Sequence, residues 1–383
     1  MISKGFILYK NGKIPFVIRD YRMELFSDNS LINEYCKEYN FKNNYILHGQ
    51  CFDDGFNGRK ATFLVEFSTG NILNLGCYIV NMFDKDEEYD SIGLQSPSLD
   101  EIFRYDYERI DRVRKGANLD LEQITIHKML FDMNCRSYEL QYRIGCNNKI
   151  GLLEDLDRKG EIIIPLHSNE IQECFCIATI LHRLAIFMLS TNDVSYKKIT
   201  LYNKGHKVGW FYCSLISEND YYSSKGFFYE FDVMKYIPKI LNNIALDSGN
   251  KITKSVPLGH LMDSQYMFAP QRFMSQMVSF EYLFDKLNHT AAQDKKISLQ
   301  KELGQMFDLF PQLLSKSKFN SDNISKEIKE LRRHISHGYE YYYDFIDKSH
   351  EKYFMILLDR LLKCMSLYFI GFSLEDIENY GVF

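Results

Sequence analysis

The chain is 383 residues long, more than one hydrophobic core usually organises, so two domains are expected. Its 45% hydrophobic and 15% aromatic residues exclude a disordered polymer, and a net charge of −5 excludes a globally basic nucleic-acid binder. Residues 246–383 carry 17 Lys and Arg against 18 Asp and Glu, so a nucleic-acid site there must be a local patch. The nine cysteines are scattered and include no C-x-x-C pair, which argues for reduced thiols in a cytoplasm and against a disulfide scaffold or a zinc site. MISKGFILYKNGK at the start lacks the apolar run of a secretory signal. The longest apolar stretch, Cys174 to Leu189, is broken by His182 and Arg183 and reads as a buried helix, with no membrane span expected.

The first ~165 residues read as strands. Phe6–Tyr9, Ile14–Arg19 and Met23–Phe26 are short and rich in β-formers, with Asn11-Gly12 as a hairpin signal. Tyr45–Phe52 and Lys60–Phe67 flank a turn cluster at 53–58. Further strands are expected at Asn74–Phe83, Gln123–Phe131, Arg136–Ile144 and Glu161–Leu166, with an acidic loop at Asp84–Tyr89. A helix follows from Ser168 to about Ser190, in which His182 reads as a core or surface histidine. Strands return at Lys198–Tyr202, Lys207–Ser214 and Gly226–Phe231, then a helix at Val233–Leu246 and a linker at Asp247–Asn250.

From about Leu261 helices take over. Gln271–Leu287, Lys295–Leu314, Asp322–Ser336 and His350–Phe372 each carry an apolar face, with Pro311 expected to kink or split the second. Four antiparallel helices with short loops describe a bundle. The fold class is therefore α+β, a strand-rich N-terminal region with an inserted helix over 1–247, then an all-α bundle over 255–383.

The third of these helices, SDNISKEIKELRRHISHG, has a marked beginning and end. Ser321, Asp322 or Asn323 offers the N-cap oxygen; Ile324, Ile328, Leu331 and Ile335 form one stripe; Gly338 is a natural stop. Arg332, Arg333, His334 and His337 gather at its end, where cations also complement the helix dipole. No HExxH, Gly-rich phosphate loop or G-x-S-x-G occurs, so neither a metal nor a cofactor is expected.

The last ~120 residues resemble a HEPN domain, a small helical bundle whose ribonuclease members carry Arg, four to six residues, then His near the end of a late helix. The match is Leu331-Arg332-Arg333-His334-Ile335-Ser336-His337-Gly338, with Arg333 standing where the family usually has Asn, Asp or His. Glu281 matches the acidic residue that the family often shows in its first helix. The front of the chain is similar to the N-terminal region of ApeA-like bacterial anti-phage proteins, through Leu47-His48-Gly49, Ala61-Thr62-Phe63-Leu64 and the helix Glu170–Ser190.

These resemblances imply metal-independent cleavage of RNA, tRNA included, by attack of the substrate's own 2′-hydroxyl. His337 would move protons, Arg332 would stabilise the transition-state charge, and Glu281 completes the catalytic set. Arg333, His334 and Lys329 are the RNA-binding candidates, with Lys326 nearby; Tyr339, Tyr341, Tyr342 and Tyr343 offer stacking or packing surface. Five residues along a helix are about 140° around its axis, so Arg332 and His337 need an unwound helix end or a partner chain to share a pocket. The family implies a homodimer, and a phage component as trigger. The alternative is a non-catalytic dimerisation or binding module in which the motif merely stops a helix.

Overall fold

The computed structural model describes residues 2–26, 30–52, 58–82, 88–103, 123–145, 160–189, 194–217, 233–247, 270–288, 297–315, 317–338, 348–369 and 371–379. The chain divides into two compact units, one of Met1–His182 with Val194–Tyr221, the other of Arg183–Asp193 with Tyr222–Phe383. It is α+β, strand-rich in its N-terminal region and helical in its C-terminal half.

Among the described residues, twelve antiparallel strands form one sheet in the first unit. They are β1 (Ile2–Tyr9), β2 (Gly12–Arg19), β3 (Arg22–Leu25), β4 (Asn43–Cys51), β5 (Arg59–Thr69), β6 (Ile72–Asn81), β7 (Ser91–Gln95), β8 (Gln123–Met133), β9 (Arg136–Gly145), β10 (Gly160–Pro165), β11 (Lys198–Asn203) and β12 (His206–Cys213). The order is β3-β2-β1-β4-β5-β6-β12-β11-β7-β10-β9-β8, and β3 also pairs with β6, which closes β1 to β6 into a barrel. One strand serves both purposes. Ile72–Asn74 of β6 pair with Glu24–Arg22 of β3, while Cys77–Asn81 pair with Cys213–Gly209 of β12. Closure removes the unpaired edges that β3 would otherwise present.

Alternation fills the barrel. Ile7 and Tyr9 of β1, Ile14, Phe16 and Ile18 of β2, and Phe63 and Val65 of β5 point inward and are buried. Helix α1 (Ser30–Tyr39), which the sequence pattern does not announce, packs onto this core. Its Tyr35 is fully buried, stacks on Tyr39 at 4.8 Å and shares a 2.9 Å hydrogen bond with the Tyr45 hydroxyl. Two glycines let β1 and β4 approach. A Cβ on Gly5 would lie 1.9 Å from the Gln50 carbonyl oxygen, and one on Gly49 would lie 2.2 Å from that of Phe6.

Short β7 and α2 (Pro97–Phe103) are likewise absent from the expected elements, β7 because SIGLQ carries little β-propensity and is placed by pairing with β10 and β11. Helix α3 (Ile171–Leu189) starts three residues later than expected. Glu173 accepts hydrogen bonds from the His167 and Ser168 backbone N–H groups, the Ser168 hydroxyl and the Tyr138 hydroxyl, so 167–170 form the cap and not the first turn. By length and composition α3 could cross a membrane, with a mean hydropathy of 1.5 over a window of which 61% is buried inside the protein. His182 packs at 6.3 Å from Tyr196 and bonds through Nε2 to the Val194 carbonyl at 3.0 Å, as a core histidine does. The strand expected at Gly226–Phe231 lies outside the described residues.

The second unit holds α4 (Ile237–Leu246), α5 (Pro270–Leu287), α6 (Leu299–Leu309), α7 (Ser321–His337), α8 (Lys348–Phe369) and α9 (Leu374–Asn379) among its described residues. The segment expected as one helix over Val233–Leu246 is a 3-10 turn, Val233–Lys235, then α4, with Pro238 in the first helical turn. Pro311 ends α6 and opens a 3-10 turn over Pro311–Leu314, as its missing N–H and fixed φ require. Helix α6 packs on α7, α8 packs on α5, and α5 touches α7.

Candidate functional site

The site is built on α7, and its ends decide where its charges sit. The helix starts one residue before the expected span, and its N-cap is Asn320, whose side-chain oxygen accepts the Asn323 N–H at 2.8 Å. Ser321, Asp322 and Asn323 lie inside the first turn, so none supplies the cap; Asn320 wins because its backbone is extended there. At the other end Gly338 adopts φ 61°, a left-handed stop that a side chain would strain. Between them Ile324, Ile328 and Leu331 are fully buried, while Ile335 is half-buried near the helix end.

This packing sets α7 against α5. Arg332 Nη1 lies 2.7 Å from Glu281 Oε1, an ion pair between side chains 30% and 40% exposed. One helical turn on, the Ser336 hydroxyl donates to Met274 Sδ at 3.8 Å, so the two helices run antiparallel here. A pair this exposed is worth roughly 0.2–1 kcal/mol to stability, so its consequence is orientation more than fold. Glu281 engages one edge of a guanidinium that carries five donors in a planar fork, a shape suited to phosphate.

His337 is exposed and is the last residue of α7, which stays helical up to it. Of the two arrangements open from sequence, an unwound helix end is therefore not the one observed. Arg332 and His337 stand about 140° apart around the axis of this chain's helix. Arg333 is exposed and pairs with Glu330 of its own helix at 2.9 Å. His334 is half-buried with Nδ1 turned away from solvent; Lys329 is half-buried and Lys326 exposed. Tyr339, Tyr341, Tyr342 and Tyr343 lie outside the described residues. Among the described residues no group of three or more His, Cys, Asp or Glu is arranged to hold a metal ion.

Beside this helix pair lies a polar cluster that sequence reasoning did not single out. Asp359 of α8 is 3% exposed and receives Arg272 Nη2 at 2.5 Å and Gln276 Nε2 at 2.6 Å, both from α5. Gln276 also donates to the Met355 carbonyl at 2.9 Å. Burial pushes the Asp359 carboxyl up to about 6, against the opposing pull of Arg272 and Gln276. One turn on, Lys363 is 2% exposed, donates to the Phe187 carbonyl, and has its side-chain nitrogen 3.8 Å from the Phe187 ring centre. Burial drives its amine well below the usual lysine range. The signal was present in the sequence. Asp359 and Lys363 interrupt a run of leucines at helical spacing, where a polar residue must find a partner or be expelled.

In comparisons with known proteins, no family model matches the chain, and no curated protein or solved structure is significantly similar to it.

Proposed function

We propose that the chain is a metal-independent endoribonuclease of the HEPN type, acting in the cytoplasm of a bacterium as part of anti-phage defence. The observation that carries this reading is the 2.7 Å ion pair between Arg332 and Glu281, at the helix end that also bears His337. A fixed guanidinium supplies charge stabilisation where a phosphorane would form, and an exposed imidazole supplies proton transfer at neutral pH. Because the two side chains diverge around one helix, the pocket is completed across a homodimer by the same helix of a second copy. The strand-rich unit restrains the nuclease or senses a phage component.

The test is to sequence RNA ends after induction of the wild type and of His337→Ala. Cleavage products, tRNA fragments among them, are expected in the first and absent from the second. They should end in 2′,3′-cyclic phosphate and 5′-hydroxyl groups, since the 2′-hydroxyl attacks and the 5′-oxygen leaves with a proton. Equal RNA integrity in both strains, with and without phage, would rule the reading out.

A second reading has its own observation. Arg332 and Arg333 both sit in intramolecular ion pairs, and Gly338 makes an ordinary helix stop, which suits a non-catalytic dimerisation or binding module. On this reading Arg332→Ala alters dimer formation or stability and leaves RNA untouched.

A further inference from the structure

The outward face of the barrel sets rings and cations on neighbouring positions of adjacent strands. Strands β1, β2 and β4 contain no aspartate or glutamate, while Lys4, Lys13 and Arg19 lie on them. Their inward residues fill the core, so the alternate residues stand outside in cross-strand rows fixed by register. In the first row the Phe52 N–H bonds the Lys4 carbonyl at 2.7 Å, which sets Phe52 beside Lys4. In the second, Phe6 pairs with Gln50, and Gln50 with Lys60. In the third, Lys13 pairs with Leu8, and the pairing of Ile7 with Gly49 sets His48 on the other side of Leu8. Each row thus holds one ring and one lysine, and the rows repeat every two residues, about 7 Å.

The rings can be reached from outside. Phe52 is 40% exposed, His48, Lys4 and Lys13 are exposed, and Phe6 and Lys60 are half-buried. Lys13 Nζ already lies 4.2 Å from the centre of the Phe6 ring, and Phe6 and Phe52 sit 5.7 Å apart. Such a contact is worth only about 0.5–1 kcal/mol at an exposed site, so a base can take the place of Lys13 over the ring.

We infer that this face binds single-stranded nucleic acid, its rings stacking on bases and its lysines meeting the phosphates between them. The repeat is the argument for this occupant. A strand of nucleotides offers one flat base and one anion per step, as each row offers one ring and one cation. An anionic membrane needs lysines and apolar groups but sets no such register, and duplex DNA hides its base faces. The rows span four strands, β2, β1, β4 and β5, room for a site at the short end, on the order of four nucleotides. The inference does not require the helical unit to cut RNA; if it does, the barrel face holds the substrate or a trigger strand.

The experiment uses the full chain and a fluorescein-labelled 2′-O-methyl oligonucleotide of about twelve residues, uncleavable by 2′-hydroxyl attack, read by anisotropy over a salt series. The wild type should bind with affinity that falls with salt. Lys4→Glu/Lys13→Glu should weaken binding at least about tenfold and flatten the log–log salt slope by about 1.4, at ~0.7 for each single-strand phosphate that is no longer neutralised. Phe52→Ala should weaken it about 5- to 100-fold with the slope unchanged, as loss of stacking does. If charge reversal unfolds the barrel, seen as lost near-UV dichroism, Lys4→Gln/Lys13→Gln should still flatten the slope by the same amount. Duplex DNA and phosphatidylserine vesicles are the competing probes. Binding unchanged in the barrel variants, binding that depends on Lys329 and Arg333 alone, or preference for duplex or vesicles overturns the inference. Unmodified RNA of the same sequence, incubated with the wild type, reads cleavage separately, so wild-type binding without cleavage counts against the nuclease reading and leaves this one standing.

Discussion

At the scale of single residues, Arg332 and Glu281 form the contact with the clearest consequence. An ion pair this exposed contributes at most about 1 kcal/mol to folding, so substitutions here should leave the melting temperature nearly unchanged. Activity should respond far more. Arg332→Ala and His337→Ala are each expected to lower the cleavage rate by about 10²–10⁴-fold, measured in EDTA on a single-stranded substrate. Glu281→Gln should cost less by itself and almost nothing further in the Arg332→Ala background, because its part is to orient the guanidinium. Independent, additive losses in that double-mutant cycle would remove Glu281 from the site. Asp359 makes a prediction of opposite kind, on stability. Its carboxyl titrates near 6 when folded, above its ordinary 3.8, so the folded state binds more protons than the unfolded state between those values. Stability from this group is therefore present below about pH 4 and is lost as pH rises through 6, a swing of about 3 kcal/mol. Asp359→Asn should flatten this part of the stability–pH curve in urea titrations. An identical curve in wild type and variant would show that Asp359 does not titrate in this window.

At the scale of elements, the two ends of α7 separate helix formation from chemistry. Asn320→Ala removes the side-chain acceptor for Asn323 N–H and should cost about 1 kcal/mol. Gly338→Ala meets no neighbour within 4 Å, so its cost of about 1–2 kcal/mol comes from the positive φ alone. Both should appear as lowered urea midpoints at constant slope. If the helix end is the reaction centre, Gly338→Ala should also depress cleavage, because it moves His337, whereas Asn320→Ala, at the opposite end of the 17-residue helix, should not. In the barrel, Gly5→Ala has no such latitude. The added carbon would fall on the Gln50 carbonyl, backbone against backbone, and should cost several kcal/mol or abolish soluble expression.

At the scale of the whole molecule, the nuclease reading requires two copies of the chain. Sedimentation at micromolar concentration should show a dimer, and a heterodimer of Arg332→Ala with His337→Ala chains should recover part of the activity that neither homodimer has. A strict monomer that still cuts RNA would sink the dimeric pocket.

Much of this architecture was legible from the chain alone. The alternation of Ile14, Phe16 and Ile18 reads as a strand with one buried face, and Ile324, Ile328 and Leu331 read as one buried helix stripe ended by Gly338, because both signals depend only on local period. The strand-rich front and helical back followed from the same patterns. Which strands meet did not. Pairing of Arg22–Glu24 with Ile72–Asn74 joins segments far apart in the chain, and no local pattern specifies a partner at that distance. Asn320 took the cap from its three neighbours through its extended backbone, a matter of where the preceding turn lies. Arg332 came to Glu281, and Arg272 with Gln276 to Asp359, only when α5, α7 and α8 packed together. Residue types that suit phosphate and proton transfer are a property of the sequence; which of them share a surface is decided by helix packing and barrel closure, which act on residues far apart in the chain.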